Sequence, residues 1–185
     1  MITFDSLPHA EMEAMCTPMH RVLSPIPCGK PANSPDSAGA STGALYLGSI
    51  AAMHDHELLH EHHITHLVQV LEARWVPQSE DAGFACHRID IEDRSSTALG
   101  PHLEQACNYI KASLDGGDSV LVHCQQGVSR SAAIVIAYLI RDRGMTYDSA
   151  FGLVKERRQC IKPNSGFVLA LREWESACHP PPVSR

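Results

Sequence analysis

Residues 120–132 read Val-Leu-Val-His-Cys-Gln-Gln-Gly-Val-Ser-Arg-Ser-Ala, and no other stretch restricts the fold as strongly. Ser119 to Val122 is a short apolar strand of the kind that is buried on both faces. Ser131 to Arg141 is apolar almost all round, which predicts a helix lying in the core. A strand must therefore pass into a buried helix through a loop bounded by Cys124 and Arg130. Such a unit needs a sheet beside the strand and further helices around the helix.

The flanking sequence supplies both. Ala44 to Gly48 reads as a strand, Ser49 to His63 as a helix and Thr65 to Leu71 as a strand. Residues 76–83 contain Pro77 and Gly83 and read as a loop, and Phe84 to Ile91 is a further strand. Leu103, Cys107, Ile110 and Leu114 fall at helical spacing between Thr97 and Leu114, ended by Gly116-Gly117. Gly144 closes the core helix. Thr146 and Asn164 are placed to cap two more helices, carrying Tyr147, Ala150, Phe151 and Val154, then Phe167, Val168, Leu171 and Trp174. Strands interleaved with helices, then helices alone, predict an α/β sheet with helices packed on it. Residues 1–42 hold Pro25, Pro27, Pro31 and Pro35 among Ser, Gly and Ala, and read as a flexible extension. Residues 43–178 form the expected domain, and residues 179–185, with Pro180-Pro181-Pro182, a tail. Thr17-Pro18, Ser24-Pro25 and Ser34-Pro35 fit a proline-directed kinase, although loop chemistry is the plainer reading.

The net charge of −6 argues against a nucleic-acid partner, and the longest apolar run, Ala132 to Ile140, is too short to span a bilayer. Met1-Ile2-Thr3-Phe4-Asp5 is not a signal-peptide start, so an intracellular location, cytoplasmic or nuclear, is expected. Seven cysteines without disulfide-scaffold or C-x-x-C spacing are expected to be reduced thiols.

The loop carries chemistry. Cleaving a phosphate ester with a cysteine takes a thiolate, a cradle for the phosphoryl oxygens and a proton for the leaving group. Cysteines at helix N-termini beside cations ionise more readily. The backbone N–H groups of Gln125, Gln126, Gly127, Val128, Ser129 and Arg130 can converge on an anion before the helix N-terminus. Gly127 permits close backbone approach, and Arg130 offers a bidentate fork to two oxygens. Ser131 is placed to donate to Cys124 and ease departure of sulfur, and His123 to order the loop from behind by hydrogen bonds. The alternative for Cys124 alone is a small core residue; strand context, Gly127 and the Arg130-Ser131 pair weigh against it. For the acid, Asp90, Glu92 and Asp93 compete, Asp90 reading as strand and Glu92 as a solvated face.

His123-Cys124-Gln125-Gln126-Gly127-Val128-Ser129-Arg130-Ser131 resembles the H-C-x-x-G-x-x-R-[ST] signature of cysteine-dependent protein tyrosine phosphatases. Tyr46-Leu47-Gly48-Ser49, Val154-Lys155-Glu156-Arg157-Arg158 and Ile161-Lys162-Pro163-Asn164-Ser165-Gly166-Phe167 resemble the dual-specificity branch, over about residues 44–176. The small atypical members are the nearest in kind. Ala170 departs from the pattern, where many members carry Gln. The resemblance implies a central mixed, mostly parallel sheet flanked by helices. It also implies Cys124 as nucleophile, Asp93 as the acid, Arg130 on the phosphate and Asn164 as a brace. Neither cofactor nor metal is implied. The expected substrate is a phosphoprotein such as a kinase or another signalling protein, met by a monomer.

Three matters stay open at this level. His56, His60 and His63 could share a helix face and take zinc, against the plainer reading of a solvated helix. Some relatives protect the nucleophile by a disulfide, for which Cys86 is the candidate. The function has alternatives: a phosphatase for a phosphoinositide, an RNA 5′-phosphate or a glycan, or a binding module that has lost turnover. Uncharged Gln125, Gln126, Val128 and Ser129 favour a protein over a lipid, and the presence of both Cys124 and Arg130 favours turnover. Sulfur transfer or arsenate reduction leaves the helices after residue 144 without an account.

Overall fold

The computed structural model describes residues 8–26, 41–72 and 83–180. Five strands form one sheet: β1 (Met19–Leu23), β2 (Leu45–Ser49), β3 (Ile64–Val70), β4 (Ala85–Ile89) and β5 (Ser119–Cys124). Their order across the sheet is β1-β2-β5-β3-β4. β1 pairs antiparallel with β2, and every other pairing is parallel. The result is the mixed, mostly parallel sheet that was expected.

β5 is central and completely buried, as its unbroken apolar run requires. One face, carrying Val120, Val122 and Cys124, packs under the helices α4 (Gly100–Asp115), α5 (Arg130–Arg143), α6 (Tyr147–Arg157) and α7 (Ser165–Cys178). The other face, carrying Tyr46, Leu67 and Leu121, is covered by the short helices α2 (Ile50–Met53) and α3 (His56–Glu61). α5 is the hub of the first layer. Residues Arg130 to Ile140 are all buried there, and Gly144, at φ +64°, ends the helix in a left-handed cap. No helix among the described residues is long and apolar enough to cross a membrane.

Three expectations need correction. The first 42 residues are not a structureless extension throughout, because α1 (His9–Cys16) and β1 are ordered elements and β1 is an edge strand of the sheet. Met19 and Val22 are buried there. The polar, proline-containing composition hid a five-residue strand whose inward side chains are spaced three apart. The proline-rich stretch 27–40, including Ser34-Pro35, lies outside the described residues, as do residues 181–185 and most of the expected 76–83 loop. Secondly, Ser49 to His63 is two helices. Asp55 interrupts the run, its carboxylate accepting from the Leu58 N–H and capping a new start. Thirdly, the helix predicted from Thr97 begins at Gly100. The Thr97 N–H instead bonds the Arg94 carbonyl, closing a turn, and Pro101 then sits in the first helical turn.

Val22 tests the corrected N-terminus. A Val22→Asp substitution in an unstructured tail would leave stability unchanged. In β1 it puts an unpaired carboxylate into the core, and the expected loss is about 3 kcal/mol or more in a denaturant titration.

Candidate active site

The phosphate-sized loop runs from the end of β5 to the start of α5, and its construction shows in where its carbonyls go. The Gln125 carbonyl accepts from Ile50 N–H at 3.3 Å, and the Val128 carbonyl from Lys162 N–H at 2.8 Å. Arg158 serves the two between, its Nη2 donating to the Gln126 carbonyl at 3.1 Å and its Nε to the Gly127 carbonyl at 2.9 Å. The Ser129 carbonyl accepts the Ala133 N–H of α5 at 2.9 Å. Each carbonyl of residues 125–129 is thus held from outside. In a trans peptide the N–H points opposite to the C=O. The five amides of residues 126–130 are therefore turned toward the inside of the loop, at the N-terminus of α5.

Cys124 lies at the bottom of this ring and is buried. Gly127 N–H donates to its Sγ at 3.2 Å, and Ser131 Oγ–H at 3.1 Å. Gly127 is required twice over. Its φ is +70°, and a Cβ there would lie 2.6 Å from the Gly48 carbonyl oxygen and 2.8 Å from Arg158 Nη2. The loop is wedged between the end of β2 and that guanidinium.

Arg130 is buried at the mouth. Its Nη1 donates to the Ile91 carbonyl at 3.3 Å, and its Nε stands 3.9 Å from Asp93 Oδ2. Among the described residues, Nε has no hydrogen-bond acceptor despite being buried. A planar cation held on one edge, with donors to spare, suits a tetrahedral oxyanion.

Asp93 is held by the loop itself. Ser129 Oγ–H donates to Asp93 Oδ1 at 2.6 Å, and Asn164 Nδ2 donates to the same oxygen at 2.8 Å. Asn164 N–H in turn donates to Ser129 Oγ at 3.1 Å, and Asn164 Oδ1 caps α7 by accepting from Phe167 N–H at 3.0 Å. Asn164 is both brace and helix cap. Oδ2 of Asp93 is left facing Arg130. The two competitors for the acid role sit elsewhere: Glu92 pairs with Arg94 at 2.8 Å on the exposed side, and Asp90 is exposed at the end of β4. The same segment is held at two further points: the buried Ile91 offers its carbonyl to Arg130, and the Ser95 carbonyl lies so close to Gly166 that any Cβ on that glycine would collide with it.

One expected role changes, that of Cys86. His123 is fully buried behind the loop, its ring against the Cys124 backbone. Burial pushes its pKa down to about 4, His54 adds to the lowering, and the Cys124 backbone opposes it only in part. The ring is neutral near pH 7. Cys86 is in register with Leu67, itself opposite Leu121, three residues short of Cys124. Two strand spacings and three residues put the two cysteines roughly 14 Å apart, on opposite faces of the sheet. A disulfide needs Cα atoms within about 7 Å, so this pair cannot form one in the fold. As for the histidine run, α3 ends at Glu61 and His63 adopts φ +53° beyond it. No group of three metal-ligating side chains comes together among the described residues.

Two functional side chains were missed. Ser129 was expected to contribute its amide, but its hydroxyl also ties the loop to Asp93. Arg158 is fully buried and donates four hydrogen bonds. A charged residue at a helix end normally reads as solvated, and in the sequence Arg158 is marked only by its place in the Val154-Lys155-Glu156-Arg157-Arg158 stretch of the family resemblance.

With this geometry the comparisons are decisive. A family model described as "Dual specificity phosphatase, catalytic domain" matches residues 45–177. The chain belongs to the dual specificity phosphatases. It is 36% identical to "Dual specificity protein phosphatase 1B" of Arabidopsis thaliana over 133 residues, 72% of this chain and 78% of that one. It is 35% identical over 182 residues to the human "Serine/threonine/tyrosine-interacting protein", covering 95% of this chain and 75% of the relative. The crystal structure of human DUSP28 superposes with a TM-score of 0.71 at 33% identity, covering 87% of this chain and 95% of that one. The fold is the α/β phosphatase fold of that family, and the family acts on phosphoproteins.

Two measurements check the site. Gly127→Ala should lower kcat/KM for an aryl phosphate by about a hundredfold, since a loop displaced by the clash no longer presents its amides in register. His123 should make stability fall on acidification. The unfolded ring takes a proton near pH 6.5 and the folded one only near 4. Between those values the unfolded state binds more protons, so stability declines as pH drops through the window, by at most about 3 kcal/mol. Half-buried His20 and His87, both with lowered pKa through burial first, act in the same direction. In His123→Asn the denaturation midpoint should depend less on pH across this range.

Proposed function

We propose that this dual specificity phosphatase hydrolyses phosphotyrosine and phosphoserine or phosphothreonine in proteins through a phosphocysteine intermediate. The observation that carries the reading is the loop whose five carbonyls are all held outward around Cys124, with Arg130 at its mouth. In the first step Cys124 Sγ attacks phosphorus, an S–P bond forms, and the P–O ester bond breaks opposite to it. Asp93 gives its proton to the departing oxygen. In the second step water attacks phosphorus, Asp93 takes the water's proton, and the S–P bond breaks. Ser131 Oγ–H, already on Sγ, stabilises the departing thiolate. Arg130 and the inward amides hold the equatorial oxygens in both steps.

The neutral side chains of Gln125, Gln126, Val128 and Ser129 support a protein substrate, because a phosphoinositide headgroup brings further phosphates that ask for cations inside the loop. A phosphorylated signalling protein of the cytoplasm or nucleus fits best. One relative is named for interacting with Ser, Thr and Tyr, not for hydrolysis, and a capture function is the second reading. Cys124, Arg130 and Asp93 in mutual register favour turnover instead.

The purified chain should hydrolyse para-nitrophenyl phosphate, and phosphotyrosine and phosphothreonine peptides faster than a phosphoinositide. Cys124→Ser should lose turnover while still binding phosphate; appreciable turnover in that variant would disprove the covalent mechanism. Asp93→Ala should lower kcat by about 10²–10⁴ and remove the limb of the pH profile that needs the protonated acid. If Asp90→Ala had that effect and Asp93→Ala did not, the acid would be misassigned.

A further inference from the structure

We propose that the N-terminal segment is a working part of the phosphate site, with His20 as a positioning residue that acts through Arg158 on the back of the loop. This rests on reading residues 124–130 as an anion site. The guanidinium of Arg158 is divided between two jobs. Its Nε and Nη2 hold the Gly127 and Gln126 carbonyls. Its Nη1 donates to the Thr17 carbonyl and lies 2.9 Å from His20 Nδ1. Thr17 ends α1 and His20 belongs to β1, so the far edge of the same rigid cation is anchored in the segment that the composition marks as a tail.

Arginine has no acceptor. The contact with His20 is therefore an N–H donated by Arg158 to the lone pair of Nδ1, and the imidazole must be neutral with its proton on Nε2. Protonating Nδ1 would remove the acceptor and set two cations against each other. Burial first, then Arg158, lowers the pKa of His20, while Glu13 of α1 raises it. Glu156 and Arg157 of α6 line the same small cavity beside His20. Near neutral pH the ring holds Arg158, and on acidification it lets go.

The consequence is specific. Arg158 is a rigid fork, so freeing its Nη1 edge lets the plane rotate and loosens the grip on the Gln126 and Gly127 carbonyls. The amides on the other side of those peptides, those of Gly127 and Val128, then lose their aim at the anion. α1 is tied to the same region a second time, by Glu11 to Lys155 Nζ at 3.4 Å, while Lys155 also donates to the Ile161 carbonyl at 3.1 Å. That second tie keeps the segment docked when His20 changes. His20 thus tunes the loop without detaching the segment.

The test uses the full chain and inorganic sulfate, whose charge stays constant through the mildly acidic to neutral range, with affinity read by titration calorimetry. His20→Leu should weaken sulfate binding about tenfold, the loss of one hydrogen bond to a charged group. His20→Asn should restore most of it, since its carboxamide oxygen can accept the same bond. Sulfate affinity of the unaltered chain should fall as His20 protonates, and the fall should be shallower in His20→Asn. Unchanged binding in His20→Leu would overturn the proposal, as would a His20→Asn variant no better than His20→Leu. If His20→Leu did not fold, equal pH slopes for the unaltered chain and His20→Asn would overturn it. A chain that bound no sulfate even unaltered would overturn the anion-site reading and this proposal together, which separates the two failures.

Discussion

The structure turns on a problem of peptide orientation. For backbone amides to face an anion, the carbonyls of the same peptides must face the protein, and there each needs a donor. An isolated loop has none to offer. Here the donors come from four places: the start of α2, the Arg158 side chain, the Lys162 amide before α7 and the first turn of α5. None of these is close in sequence except the last. The loop is held in this shape by α2, Arg158 beyond α6 and the approach to α7, so the surrounding layers complete the site instead of framing it.

The same economy governs the acid segment. Residues 91, 93 and 95 are gripped in turn by Arg130, by Ser129 with Asn164, and by Gly166. Glu92 and Arg94, between them, pair with each other in solvent. Ser129 belongs to the phosphate loop and bonds the acid directly, so loop and acid are one assembly. Asp93, held at Oδ1 by two hydrogen bonds, has little freedom to swing, and its Oδ2 is left facing Arg130. In the proposed mechanism this means that the orientation general-acid catalysis needs is built before substrate arrives, which spares the entropy of organising it at the moment of reaction.

Much of this was legible from residue order alone. The strand–loop–helix unit, the hub character of α5 and the caps at Thr146 and Asn164 rest on local patterns, and local patterns are what a sequence displays. Asp93 could be ranked above Asp90 and Glu92 by family resemblance, whereas residue types alone left the three in competition. What was not legible depended on partners far away in the chain. β1 is five residues long, and nothing within those residues announces that β2 offers an edge to pair with. The two faces of the sheet could not be assigned from the order of residues, so Cys86 and Cys124 looked like candidates for a bond that the register forbids. For His123 the sequence shows a polar ring but not how deeply it is enclosed, and it is that burial which drives its pKa down to about 4.

Arg158 shows most clearly why such residues escape a sequence reading. A buried guanidinium is tolerable only when its donors are satisfied, because an unpaired buried charge costs several kcal/mol after relaxation. Its four acceptors come from residues 17, 20, 126 and 127, more than 100 positions from it in two cases and about 30 in the others. Each acceptor is unremarkable: three are backbone carbonyls and one is an imidazole nitrogen. The arginine is what makes them a set. Once it is buried, the N-terminal segment and the phosphate loop share one rigid planar group, and displacement of either edge is felt at the other. Through Thr17 and His20 that one group ties α1 and β1 to the loop, which the composition of the segment does not show.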